Sequence, residues 1–128
     1  MNQDEFLTKY NETIINTLKY SKKARTEGLL ALEDVLDEEK VNNRDVFEYG
    51  LRFVIDGTDY RVINDIMGIM IEMENDKYKK LLMRLQAEAV LSIQAGDNPR
   101  IIFYKLNAFT NYSLSEDPGA IYLDEAMD

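Results

Sequence analysis

Glu74-Asn75-Asp76-Lys77-Tyr78-Lys79-Lys80 is the stretch on which the fold turns. It is polar, yet it contains no Gly and no Pro, and it lies between two segments of helical period. Upstream, Val62, Ile66, Met70 and Met73 recur at four- and three-residue steps behind a capping Thr58 or Asp59. Downstream, Leu81 or Leu82, Leu85, Ala89 and Ile93 resume the same kind of face. Glu, Lys and Leu are good helix formers, so local physics favours one continuous helix from about Asp59 to Ala95. Such a helix has roughly 36 residues and is ~54 Å long. The other helices of one chain are too short to cover it, so its apolar face calls for a second copy in a homodimer or higher oligomer. The alternative is a tight turn at Asn75-Asp76, which gives a hairpin and permits a compact monomer.

The rest of the chain repeats the helical period. Phe6 or Leu7, Tyr10, Ile14 and Leu18 form one face behind Asp4 as N-cap, and Leu29, Leu32 and Leu36 continue it. Gly28 interrupts that run at a cost of about 1 kcal/mol relative to Ala. Asp37, Glu38, Glu39 and Asn42-Asn43 then mark a loop. Asp45 opens a helix with Phe47, Leu51 and Val54 inside, and Gly57 suits its C-cap. Gly96 ends the next run, and Asn98-Pro99 starts a last helix with Ile102, Leu106 and Phe109 on its inner face. Beyond Tyr112 the residues are mostly Ser, Asp, Glu, Pro and Gly, a composition that predicts disorder. The expectation is an all-α fold of four to five helices: a domain over residues 1–112 and an acidic flexible tail over 113–128.

Composition narrows the function. The 128 residues are enough for one domain, and 45% of them are apolar. Cys and His are both absent, which removes thiol and imidazole chemistry, disulfides and the usual zinc sites. No nucleophile–base pair can be assembled, so the expectation is a non-enzymatic protein without cofactor. Asp56-Gly57-Thr58-Asp59 lacks the further oxygen ligands a metal loop needs and reads as a cap followed by an N-cap. Gln94 to Arg100 lacks the second Gly and the Lys of a phosphate loop. The Met67, Met70 and Met73 stripe reads as core packing. No apolar run approaches the ~20 residues of a membrane span, and the first residues lack a signal peptide's pattern, so the chain is expected in the cytoplasm. A net charge of −9 argues against nucleic acid. The charge is uneven: residues 113–128 hold five acids and no base, whereas Lys19, Lys22, Lys23 and Arg25 cluster.

Two blocks carry a resemblance. Ala24-Arg25-Thr26-Glu27-Gly28-Leu29-Leu30-Ala31-Leu32-Glu33, followed by Asp56-Gly57-Thr58-Asp59, is one. Val90-Leu91-Ser92-Ile93-Gln94-Ala95-Gly96-Asp97-Asn98-Pro99-Arg100-Ile101-Ile102 is the other. Together they resemble the cytoplasmic parts of the A subunit of the bacterial flagellar stator, MotA, across roughly residues 19–109. In that family the first block lies between the second and third membrane helices and the second follows the fourth. Here the membrane pair is missing between them, and 74–80 stands in its place. The family's flanking helices run antiparallel, so the resemblance implies the hairpin that local propensity disfavours.

Arg25 and Glu33 are eight residues apart. On one helix they are about 12 Å apart along the axis and differ by about 80° in direction, so both can face one partner. By spacing alone they read as a solvated helix face. The resemblance implies more: in MotA an Arg and a Glu in this context face charged residues of the rotor switch protein FliG. It implies partner-binding roles for Arg25 and Glu33, with Lys22, Lys23 and Glu27 as supporting charges. It places the chain at the cytoplasmic face of the inner membrane near the flagellar base. Without membrane helices the chain has no ion path and cannot generate torque alone. A free-standing soluble regulator that occupies the rotor or stator surface is therefore the second expectation. A helical adaptor unrelated to motility is the third.

Overall fold

Asp76 breaks the chain between the two periodic segments. In the computed structural model, which describes residues 1–127, one helix stops at Glu72 and the next begins at Lys77. The helices are α1 (Gln3–Glu27), α2 (Glu38–Asn42), α3 (Val46–Ile55), α4 (Tyr60–Glu72), α5 (Lys77–Ala95), α6 (Pro99–Asn107) and α7 (Ala120–Met127). A 3-10 segment, Leu29–Val35, joins α1 to α2. The fold is all-α, with no strand among the described residues. The helices beyond the four to five expected are the short α2 and α7.

The hairpin overturns the continuous helix that propensity favoured, and the physical reason can be weighed. The Asp76 carboxylate accepts the Lys79 N–H at 2.8 Å and caps α5, while the Met73 and Glu74 N–H groups still reach the Ile69 and Ile71 carbonyls. Both helix ends are thereby satisfied, and only a few residues leave helical geometry, at about 0.5 kcal/mol of propensity each. In return α4 folds back on α5 and fully buries Ile63 and Met67. Complete burial of such side chains stabilises by about 1.5–3 kcal/mol each, so packing wins. The antiparallel sense shows in Gln94, near the end of α5, which donates to the Thr58 carbonyl just before α4 at 2.8 Å. The closed hairpin removes the need for a second chain along a long apolar face.

The turn also rotates α4 relative to the expected face. Val62 and Met73, predicted inside, are 47% and 76% exposed, and Ile69 is exposed with them. Of the methionine stripe only Met67 is fully buried; Met70 packs partly against the core.

Helix α5 is the central element and meets α1, α3, α4 and α6. Its small residues Ala87, Ala89 and Ser92 are buried alongside Leu82, Leu85, Val90 and Ile93, which lets neighbours approach closely. The α3 crossing is the tightest. A Cβ on Gly50 would lie 2.9 Å from Val90 Cγ2 and 3.0 Å from Met67 Sδ. Phe6, Tyr10, Ile14 and Leu18 of α1 complete the core as expected, but Asn2 rather than Asp4 is the N-cap. Gly96 and Asn98-Pro99 do what the sequence implies: Gly96 is left-handed at φ 70°, and Asn98 Oδ1 accepts the Arg100 N–H at 2.8 Å. Lys105 ties this turn by donating to Asp97 at 2.9 Å and Ser92 at 3.1 Å. Burial alone would push the Asp97 carboxyl up, but the hydrogen bonds it accepts from Lys105 and Ser92 outweigh it and hold the group low.

Residues 113–127 do not form the disordered tail that composition predicted. Asp117 is buried and accepts from Tyr10 Oη at 2.5 Å, Asn107 Nδ2 at 2.9 Å and the Gly119 N–H at 2.8 Å. Gly119 sits so close to Ile14 and Phe103 that a Cβ there would overlap Ile14. From this anchor α7 runs back along α1 and α6. A single buried carboxylate with three donors thus holds down a segment whose average composition is that of a disordered chain.

Candidate functional site

Gly28 decides the geometry around the Arg25–Glu33 pair. Its φ of 92° is one that residues with a side chain rarely adopt, and it ends α1 at Glu27. Glu33 therefore lies on the 3-10 segment, and the common helix expected for Arg25 and Glu33 does not exist. Both remain exposed, on adjoining elements. Lys23 links those elements, with its Nζ 3.5 Å from Glu27 and 3.7 Å from Asp34. The five residues singled out by sequence thus belong to one corner, formed by the end of α1 and the segment after it.

Each half of this corner is held from within the chain. Arg52 on α3 grips Glu33 through two parallel hydrogen bonds of 3.0 and 3.1 Å. It also reaches Glu38 at 2.5 Å and Asp56 at 3.5 Å. The Arg52 hydrogen bonds hold the Glu33 carboxyl below the usual range, and Glu33 in turn raises the guanidinium further. Glu33 still leaves 49% of its side chain open to solvent. On the other half, Lys22 Nζ donates to the Glu125 carbonyl at 2.7 Å and Arg25 donates to the Ala126 carbonyl. Lys19 lies over the Tyr122 ring, 5.6 Å from its centroid. Lys22 and Arg25 therefore cap the C-terminal end of α7, where unpaired carbonyls and the helix dipole favour cations.

Sequence reading found the charges at this corner but missed their internal partners. Arg52 left a faint trace as a base on the polar side of the Phe47–Leu51–Val54 helix, four residues before Asp56. The α7 contact also had a signal. Asp117-Pro118-Gly119 is a turn signature, and the apolar run Ala120-Ile121-Tyr122-Leu123 follows it.

What the corner can do chemically is limited to ionic and hydrogen-bonded contact. Its groups are exposed or half-exposed, so a pair made with a partner is worth about 0–1 kcal/mol and is screened by salt. A separate open groove of about 500 Å³ runs between α1, the start of α3 and α5. Lys9, Glu12, Arg44, Glu48 and Lys79 line it, and none of the five corner residues does. Burial raises the Glu48 carboxyl there, partly offset by the Asp37 N–H that it accepts. No cluster of potential metal ligands occurs among the described residues, and no helix among them is long and apolar enough to cross a membrane.

No family model matches the chain, and no solved structure matches it. A stretch of 62 residues is 37% identical to a protein of Borreliella burgdorferi described as Motility protein A. The match covers 48% of this chain and 23% of that protein, so the chain corresponds to about a quarter of the length of this relative.

Proposed function

We infer that the chain works in the flagellar motor as a stator-type element that touches the rotor switch protein through charged residues and performs no catalysis. The observation that carries this reading is the 62-residue similarity to Motility protein A. The corner formed by Arg25, Lys22, Lys23, Glu27 and Glu33 supports it, because these groups are at the surface and present both signs of charge. A contact built from them is weak and forms and breaks easily, as a motor element requires. On this reading the chain sits at the cytoplasmic face of the membrane beside the rotor.

The test is binding to the C-terminal domain of the rotor switch protein. Arg25→Glu and Glu33→Lys should each weaken it, and a compensating reversal on the rotor should partly restore it. Raising salt from 0.1 to 1 M shortens the Debye length from ~10 Å to ~3 Å and should weaken binding as well. If the reversals change nothing at low salt, the reading is wrong.

One observation favours a second reading. The connection between α4 and α5 is a short turn over residues 73–76, where the resembled family threads its membrane pair. A chain built this way suits a soluble regulator that occupies the rotor or stator surface and lowers torque. Overproduction in motile cells separates the two: a regulator slows the motors in proportion to its level.

A further inference from the structure

Two of the three cations that the proposed function assigns to the rotor contact are held by α7 in the free chain. Lys22 and Arg25 hold the Glu125 and Ala126 carbonyls at the end of α7, and Lys19 covers Tyr122. The two ends of this last segment are attached very differently. At Asp117 it is fixed by three hydrogen bonds to a buried carboxylate, and Gly119 is wedged against Ile14 and Phe103. Beyond that anchor, Ala126 is the one buried side chain of α7, and Ile121 is 77% exposed. A cavity of about 70 Å³ remains between Leu18, Lys19 and Lys22 on one side and Tyr122, Glu125 and Ala126 on the other. Ala120, Tyr122 and Leu123 pack only partly against the core, so α7 opens more easily than the central helices while its anchor stays in place. It is also acidic: Asp124 and Glu125 are exposed on it, while Lys22 and Arg25 reach its backbone carbonyls and Lys19 its ring.

We propose that α7 is a displaceable cap on an interaction surface. Lys19, Lys22 and Arg25 form a receptor for an acidic helix that offers carboxylates and a free carbonyl end. In the free chain α7 fills it, and a partner helix of that chemistry binds in its place. The proposal rests on the reading that this basic face meets the rotor protein, and it adds that α7 competes for it. Partner affinity is then reduced by the fraction of time α7 is docked.

The experiment uses the full chain and two readouts. Ala126→Arg places a bulky cation beside Lys19 and Lys22 and should undock α7; Tyr122→Gly should do the same by removing the ring under Lys19 and weakening the helix. Amide exchange at 120–127 should speed up in both while α5 stays protected. Binding of the rotor domain should tighten by about tenfold, and by the same factor as the loss of protection at 120–127. Saturating the wild-type chain with the rotor domain should also release those amides. If exchange accelerates and affinity does not rise, or if bound rotor domain leaves 120–127 protected, α7 is not a competitor. If Lys22→Glu and Arg25→Glu also leave binding unaltered, the rotor reading of this face fails as well. Lost binding on reversal with no gain on undocking overturns the cap alone.

Discussion

Replacing Asp117 with Ala isolates the contact that orders the C-terminal segment. Three donors lose their acceptor. Asn107 keeps a partner, since its Nδ2 also reaches the Tyr112 carbonyl at 3.3 Å. Tyr10 and Gly119 do not: the Tyr10 side chain is fully buried, and the Gly119 N–H has lost its bond to Oδ1. Each stranded buried donor costs about 1–3 kcal/mol. Relief from burying a carboxylate offsets part of this, so the expected net loss is about 3 kcal/mol. For a chain of this size that lowers the thermal midpoint by about 12 °C. Urea unfolding followed by far-UV circular dichroism should show a lower midpoint with little change in slope. A double-mutant cycle with Tyr10→Phe sharpens the result. Alone, Tyr10→Phe should cost about 1 kcal/mol; in the Asp117→Ala background it removes a stranded hydroxyl and should cost nothing. The coupling should therefore be about 1 kcal/mol or more. A loss under about 1 kcal/mol for Asp117→Ala, or additive singles, would mean that water replaces the carboxylate freely and that Asp117 is no anchor.

Gly50→Ala should destabilise by about 1–3 kcal/mol, because its Cβ meets Val90 and Met67 at the α3 crossing; a neutral result would show that this crossing relaxes. Burial and the hydrogen bond to Asp117 raise the Tyr10 hydroxyl above its ordinary value of 10.0. The folded state therefore keeps a proton that the unfolded state releases, and stability present below pH ~10 falls above it by up to about 1.4 kcal/mol per pH unit. Tyr10→Phe should reduce that slope, and an unchanged slope contradicts the assignment. Arg52→Ala should speed amide exchange across residues 29–38 while α5 stays protected, with a global cost of only about 1 kcal/mol, since its partners are exposed. Light scattering should give a monomer near 14.9 kDa at high concentration, because the α4–α5 hairpin closes within one chain; a tight dimer would point to the exposed Val62, Ile69 and Met73.

Much of the fold was legible because caps and periods act locally. Asp45, Gly57, Gly96 and Asn98-Pro99 each behave as their residue types dictate. The errors arise where a distant contact outweighs a local preference. The 74–80 stretch has helical propensity throughout, yet burying Ile63 and Met67 against α5 outweighs the few residues lost at the turn. The tail has a disordered composition, yet Asp117 finds Tyr10, which lies 107 residues away in sequence. Gly28 is the opposite case. Its residue type is costly within a helix, but a positive-φ exit followed by a 3-10 segment relieves that cost, and the helix through Arg25 ends before Glu33. The charges of the site were legible one by one. Their internal partners, Arg52 and the α7 carbonyls, are set by packing and were not.

Those internal partners change what exposure means for this surface. A partner's cation approaching Glu33 finds it already bidentate with Arg52, and a partner's carboxylate approaching Lys22 finds it donating to the Glu125 backbone carbonyl. On the motor reading, binding exchanges an internal contact, an ion pair at Glu33 and a hydrogen bond to a carbonyl at Lys22, for an external one. The net gain per contact is the difference between two numbers of about 0–1 kcal/mol. Counting charges across the interface would overstate the affinity, and at Glu33 its salt dependence too, because salt weakens the internal Arg52 pair along with the external one. Such an exchange also makes release easy, since each group that lets go of the partner has a waiting acceptor or donor within its own chain. On the motor reading, this internal competition keeps the contact brief without requiring the charges themselves to be few.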